Sequence, residues 1–265
     1  MRYVRIFFIF FQDAFVNRST SFVWFLLALF NPLIALLFWR GAFQSGGAAL
    51  IGWSYQMIAS YYLLLVVANT LLMPHIEMEI ARRDIQMGML SNYLTRPFPY
   101  LLLKLFSELP WRIIQTFFAV SVLLFITIGL RVNVHIAQDP FLLVFTLVIA
   151  AAAHLVAFMF KMVLGLSALW VTDFGGLSEF ADVVIIIFAG FVVPLALFPQ
   201  WLRPIAEASP FAYMIYYPLV SLLGQISIAG MIRVLAGEII WFSVLFVLYR
   251  VMWTSGIKKF TGIGQ

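Results

Sequence analysis

The stretch FLLVFTLVIAAAAHLVAFMFKMVLGLSALW, residues 141–170, decides what kind of fold this chain adopts. It holds one formal charge, Lys161, and no proline. A helix crosses about 30 Å of hydrocarbon with about 20 apolar residues, so the run is longer than one crossing needs. It is also continuous, whereas strands of a membrane barrel would show short alternating segments. In lipid every backbone polar group must find its partner within the segment, which leaves the α-helix.

Similar apolar runs cover residues 21–39, 53–73, 113–130, 182–198 and 232–253, which makes six expected crossings. Composition supports the same solvent. The chain has 265 residues, 64% of them hydrophobic and 10% charged. A soluble domain is near half apolar and a quarter charged, and a folded surface must itself tolerate water. Lipid therefore solvates much of this molecule. The expected fold is an all-α integral membrane protein in one domain, residues 1–265, with no internal repeat or linker.

The net charge of +5 does not mark a nucleic-acid binder, because the cations are scattered among apolar runs rather than gathered in a polar basic patch. There are no cysteines, hence no disulfide framework, thiolate nucleophile or cysteine metal site. Asp13, Asn17 and Arg18 interrupt the first apolar run, and no small-residue cleavage site follows, so a removable leader is not expected. With the N-terminus inside, Arg2, Arg5, Arg18, Arg82, Arg83, Arg96, Lys104, Arg112, Arg250, Lys258 and Lys259 fall on the inner side. Only Arg40, Arg131, Arg203 and Arg233 fall outside. This bias orients the chain with both termini in the cytoplasm.

Three segments are not plain spanning helices. Residues 1–18 place Arg2, Arg5, Gln12, Asp13 and Asn17 on one side of a helix and Val4, Phe7, Phe8, Phe11 and Phe15 on the other. That pattern predicts either an interfacial helix on the cytoplasmic leaflet or a half-buried anchor. Residues 74–110 form the longest polar stretch, an inner loop. Ile80, Met87, Leu90 and Leu94 recur there at helical spacing, and Thr95-Arg96-Pro97 provides a stop. In residues 194–224, Pro194, Pro199, Pro204, Pro210 and Pro218 divide the apolar run into pieces too short to cross. A re-entrant helical hairpin entering from the outer face accounts for them.

No G-x-x-x-x-G-K-[ST] phosphate loop is present. His75, His135 and His154 fall in different parts of the chain without metal-ligand spacing, and no nucleophilic triad is legible. The chain is not expected to be an enzyme. Lys161 is the clearest ionisable group expected deep in a span. It either faces a cavity as a pathway charge or snorkels to an interface. Glu238 and Arg233 are expected at the outer interface, and Asp173, Glu179 and Asp182 in a short inner loop.

Two motifs then carry a resemblance. Ile85-Gln86-Met87-Gly88-Met89-Leu90 with Leu94-Thr95-Arg96-Pro97 is similar to an I-x-x-G-x-L…L-x-R-P pattern. Gly190, Pro194-Leu195, Phe198-Pro199, Trp201-Leu202, Pro210-Phe211 and Tyr217-Pro218 are similar to a G…P-L…P-x-W-L…P-F…Y-P succession. Both belong to the ABC-2 type transporter permeases, the six-helix membrane subunits of bacterial ABC exporters, which the chain resembles over nearly its whole length. The resemblance implies a coupling helix containing Arg82, Arg83, Asp84, Gly88 and Leu90 and ending at Arg96 and Pro97, seated on an ATP-binding subunit. It implies an outer gate at Gly190, Pro194, Pro199, Trp201, Pro210, Phe211 and Pro218. It further implies a second permease, like or unlike, surrounding membrane lipid, and a bacterial cytoplasmic (inner) membrane. This chain would hold no cofactor, ATP and Mg residing in the partner, and would export an amphipathic or hydrophobic substrate. The alternative is an ion-coupled secondary transporter using Lys161.

Overall fold

The computed structural model describes residues 7–12, 23, 30–44, 52–129 and 133–260, and these are helical with connecting turns and no strand. The order is α1 (Phe30–Gln44), α2 (Tyr55–Leu72), a π-helical segment (Glu79–Gln86), α3 (Leu90–Leu94), α4 (Tyr100–Gly129) and α5 (Pro140–Leu166). A 3₁₀ turn (Ser167–Leu169) prolongs α5. Then come α6 (Phe174–Phe188), a 3₁₀ turn (Leu195–Leu197), α7 (Arg203–Ala208), a π turn (Ala212–Tyr216), α8 (Tyr217–Leu222) and α9 (Ile228–Gly256). Residues 7–12 are helical, with Phe7 stacked on Phe11. The rest of the expected interfacial helix 1–18, and most of the first half of span 21–39, lie outside the described residues.

Among the described residues, four helices are long and apolar enough to cross a membrane: α2, α4, α5 with its 3₁₀ extension, and α9. Helix α6 has 15 residues, which at about 1.5 Å per residue is about 22 Å, less than one hydrocarbon thickness. The expected boundaries shift in two places. The expected third span, now α4, begins at Tyr100 rather than near residue 113, and Pro110 lies inside it. The loop expected over 74–110 is thus shorter, because Lys104, Glu108 and Arg112 sit on the buried face of a helix. The expected span 182–198 is instead α6, which starts earlier. Its N-terminus is capped by Asp173, whose carboxylate accepts from the Gly176 N–H at 3.3 Å.

Helix α6 stops at Ala189 rather than at Pro194, since Gly190 takes a left-handed φ of +86°. Ending a helix inside an apolar region frees carbonyls that lipid cannot satisfy. Two adjacent tyrosines of α2 supply the donors: the Tyr61 hydroxyl donates to the Gly190 carbonyl at 2.8 Å, and the Tyr62 hydroxyl to the Val192 carbonyl. The Trp39 indole of α1 donates in turn to the Tyr62 oxygen at 3.1 Å. The break is therefore held from α1 and α2.

Helix α5 runs through the core. It buries Ile149, Ala153, Val156, Ala157, Phe158 and Met162 against α9, α8, the π turn and α2. Close approach needs small residues where backbones meet, as is usual between helices in lipid. At Gly165 an added Cβ would lie 2.8 Å from the Ile80 Cβ, so the π-helical segment can press directly onto α5 there.

Candidate functional site

The segment after α2 folds back onto the bundle. Ile80, Ala81, Asp84 and Ile85 of the π-helical segment are buried, while Arg82 and Arg83 on its other side are exposed. Gly88 turns the chain with φ +75°. Leu90 then plugs into the core, and Arg96 and Pro97 follow on the exposed side. The residues assigned by sequence to the coupling element thus divide in two. Asp84, Gly88 and Leu90 face inward, whereas Arg82, Arg83, Arg96 and Pro97 face outward beside exposed Met87, Met89 and Leu94.

Three buried cations clamp this segment to the helices. Lys161 of α5 contacts Glu77 at 2.7 Å and Asp182 of α6 at 2.8 Å. Lys104 of α4 contacts Asp84 at 2.6 Å and Glu79 at 2.9 Å. Arg112 of α4 pairs with Glu108 at 2.8 Å and donates to the Met73 carbonyl at 2.7 Å. Glu108 also accepts the His75 backbone N–H at 3.2 Å. Asp84 accepts a further bond from the Tyr100 hydroxyl. Burial pushes the Asp84 carboxyl above its ordinary range, even though the Lys104 cation and the Tyr100 bond oppose that shift. The Arg83–Glu79 contact, 3.5 Å and open to water, adds little.

On the opposite side of the broken helix α6, the proline-rich segment packs as a compact unit. The Tyr217 hydroxyl donates to the Glu207 carbonyl at 3.1 Å, and the Trp241 indole of α9 to the Ala208 carbonyl at 3.1 Å. Phe211 meets Phe160 of α5 edge-on, their ring centres 5.2 Å apart. Pro194 and Pro218 are buried and Pro210 half-buried, while Pro199 and Trp201 are exposed, Trp201 by 72%. A cavity of about 440 Å³ opens beside this unit and includes Arg203, Tyr213, Tyr217 and Arg233 in its lining.

A short amphipathic segment clamped between helices and a broken helix on the far side form one arrangement, and the sequence carrying them matches a known family. Residues 29–264 match the family described as ABC-2 family transporter protein. The chain belongs to that family. Among curated proteins, none matches the sequence. Membership makes the chain the membrane component of an ABC transporter, in a family that works with an ABC ATPase.

Within this ABC-2 permease, several residues that bind the site together were not singled out from sequence. Glu77, Glu79, Lys104, Glu108, Arg112 and Asp182 read as loop polarity or as solvated charge. One signal was available for α4: Tyr100, Lys104, Glu108 and Arg112 recur every fourth residue, so they share one helical face, and all four are buried. No local pattern links Glu77 or Asp182 to Lys161, because those contacts join distant parts of the chain. Asp182 lies within α6, not in the inner loop where sequence placed it. Glu238, expected at the outer interface, is 1% exposed, and neither carboxylate oxygen has a hydrogen-bond partner among the described residues. Helix α9 turns that position toward its neighbours with Val234 and Leu245, while Arg233 stays exposed.

Proposed function

We propose that the chain is the membrane-spanning subunit of an ATP-driven exporter, in which residues 73–99 receive the motion of a separate ATP-binding subunit. The observation carrying this reading is the set of three buried cations, which tie one short segment to α4, α5 and α6 at once. An exposed element so anchored cannot shift without moving three helices. In this reading Arg82 and Arg83 meet the motor, Arg96 and Pro97 close the element at its end, and Asp84, Gly88 and Leu90 keep its shape. Lys161, the candidate pathway charge, here serves as an anchor, since two carboxylates hold it in place. Nothing in that pairing favours an ion-coupled carrier.

The remaining architecture follows the family. Six crossings result if α1 and α6 with its prolonging turns each complete one, and residues 194–224 then form the outer re-entrant gate. Two permeases, alike or different, would stand side by side in a bacterial cytoplasmic membrane with their termini inside. ATP and Mg would bind the partner subunits, whose closure would push the coupling segments and open a path between the permeases. A substrate with a large apolar part is supported by a cavity of about 630 Å³ between α1, α2 and residues 186–193. Its lining is chiefly aliphatic and aromatic, with Trp39, Tyr62 and Asn69 as polar points.

Arg82→Glu combined with Arg83→Glu tests the coupling. Both side chains are exposed, so the variant is expected to insert and fold normally yet fail to co-purify with the ATP-binding subunit. Co-purification at the wild-type level would overturn the assignment.

A further inference from the structure

A third cavity, about 290 Å³, lies where the end of the coupling segment meets α4 and the last part of α9. Its lining includes Arg96 and Arg250 and a run of aromatic rings. Tyr100 stacks on Trp253 with ring centres 4.9 Å apart and planes 17° apart, and Tyr249 stacks on the same indole at 6.0 Å. Arg96 sits over the Tyr93 ring at 5.5 Å. Among the described residues neither arginine is paired with a carboxylate. Asp84 of the coupling segment is already occupied by Lys104 and Tyr100.

We propose that Arg96 and Arg250 bind the phosphate of an anionic phospholipid of the cytoplasmic leaflet, seated on the aromatic floor of Tyr100, Tyr249 and Trp253. Two guanidinium groups match the charge and planar geometry of phosphate oxygens. Tyrosine and tryptophan are the rings that settle at the headgroup level. Arg250 lies about 9 Å before the helix end at Gly256, counted at about 1.5 Å per residue. That depth suits a headgroup–acyl boundary and is poorly reached by a soluble protein. The adjoining face of α9 presents exposed Val247 and Val251, along which acyl chains can lie. Anionic lipids are concentrated in the inner leaflet, and basic side chains near it are drawn to them.

The site has a mechanical connection. Tyr100 forms part of its floor, and the same residue's hydroxyl donates to Asp84 inside the coupling segment. A seated lipid therefore steadies the segment from the α9 side. The inference rests on the cytoplasmic placement of this end of α9 and not on the presence of a motor.

The test is native mass spectrometry of the full-length permease in detergent, titrated separately with short-chain phosphatidylglycerol, phosphatidylcholine and inorganic phosphate. Phosphatidylglycerol is expected to bind preferentially, and about tenfold or more weakly after Arg96→Gln with Arg250→Gln. Arg250→Lys keeps the charge without the planar fork and is expected to retain intermediate binding. Arg96→Gln alone, on an exposed turn, supplies a folded variant should the double change lower expression. Equal binding of the two lipids, or wild-type binding by the variants, overturns the proposal. Inorganic phosphate binding as tightly as phosphatidylglycerol would assign the arginines to a soluble anion and also overturn it.

Discussion

Asp84 and Lys104 show how unequal the two members of a buried pair can be. Asp84 is fully buried, and burial works against its charge, so Asp84→Asn removes a group that is costly to hold. Lys104→Met instead leaves Asp84 as a buried carboxylate without its cation, a loss of about 3–5 kcal/mol. We expect Lys104→Met to lower the thermal unfolding midpoint in detergent clearly more than Asp84→Asn does. Equal losses would show that the contact energy, rather than the stranded charge, sets the cost. The same reasoning applies to Lys161, whose removal strands Glu77 and leaves Asp182 half-exposed. These residue-scale roles were hard to read in advance. A lone lysine in an apolar run announces that something must compensate it, but not which carboxylate does so.

At the scale of an element, the break between α6 and α7 is the informative feature. Prolines and a glycine in an apolar run make a broken helix legible, and Gly190 was among the residues singled out. What the string of residues does not disclose is the partner for each freed carbonyl. Tyr61 and Tyr62 are more than a hundred positions away and look like ordinary aromatic content of a span. Replacing Tyr61 by Phe keeps the ring and strands the Gly190 carbonyl, at a cost of about 1–3 kcal/mol. Hydrogen exchange is expected to rise at the amides of residues 189–193 in Tyr61→Phe and to stay unchanged in the coupling segment. Gly190→Ala is expected to be worse, because a Cβ there both strains φ and meets the Tyr61 hydroxyl.

For the whole molecule, the proposed coupling segment and outer gate require opposite sidedness, and the chain is convenient for testing this because it contains no cysteine. Ser91→Cys and Gln200→Cys each introduce a single exposed thiol. A membrane-impermeant maleimide is expected to label Cys at position 91 only from the cytoplasmic side and at position 200 only from the outside. Labelling of both from one side would dismantle the sidedness. The proposed transmission through the bundle is tested at the same scale. Glu77→Gln with Asp182→Asn releases the coupling segment from α5 and α6 while leaving Arg82 and Arg83 in place. The ATP-binding subunit is then expected to co-purify and hydrolyse ATP, with substrate transport reduced severalfold or more. Transport at the wild-type rate in vesicles would show that the Lys161 anchor transmits nothing.

The amino-acid sequence alone determined that this chain is helical and lies in lipid, because long uncharged runs have one way to satisfy their backbones away from water. It also marked the amphipathic segment after the second helix and the proline-divided segment near residue 200, since spacing and backbone restriction are local properties. Only the tertiary structure decided where the charges go. Lys161, Lys104 and Arg112 could each have met water, a pathway or a carboxylate, and those choices depend on which helices pack together. Distant residues such as Glu77 and Asp182 become neighbours only after α5 has been enclosed, and the cost of an unpaired buried charge then holds them there.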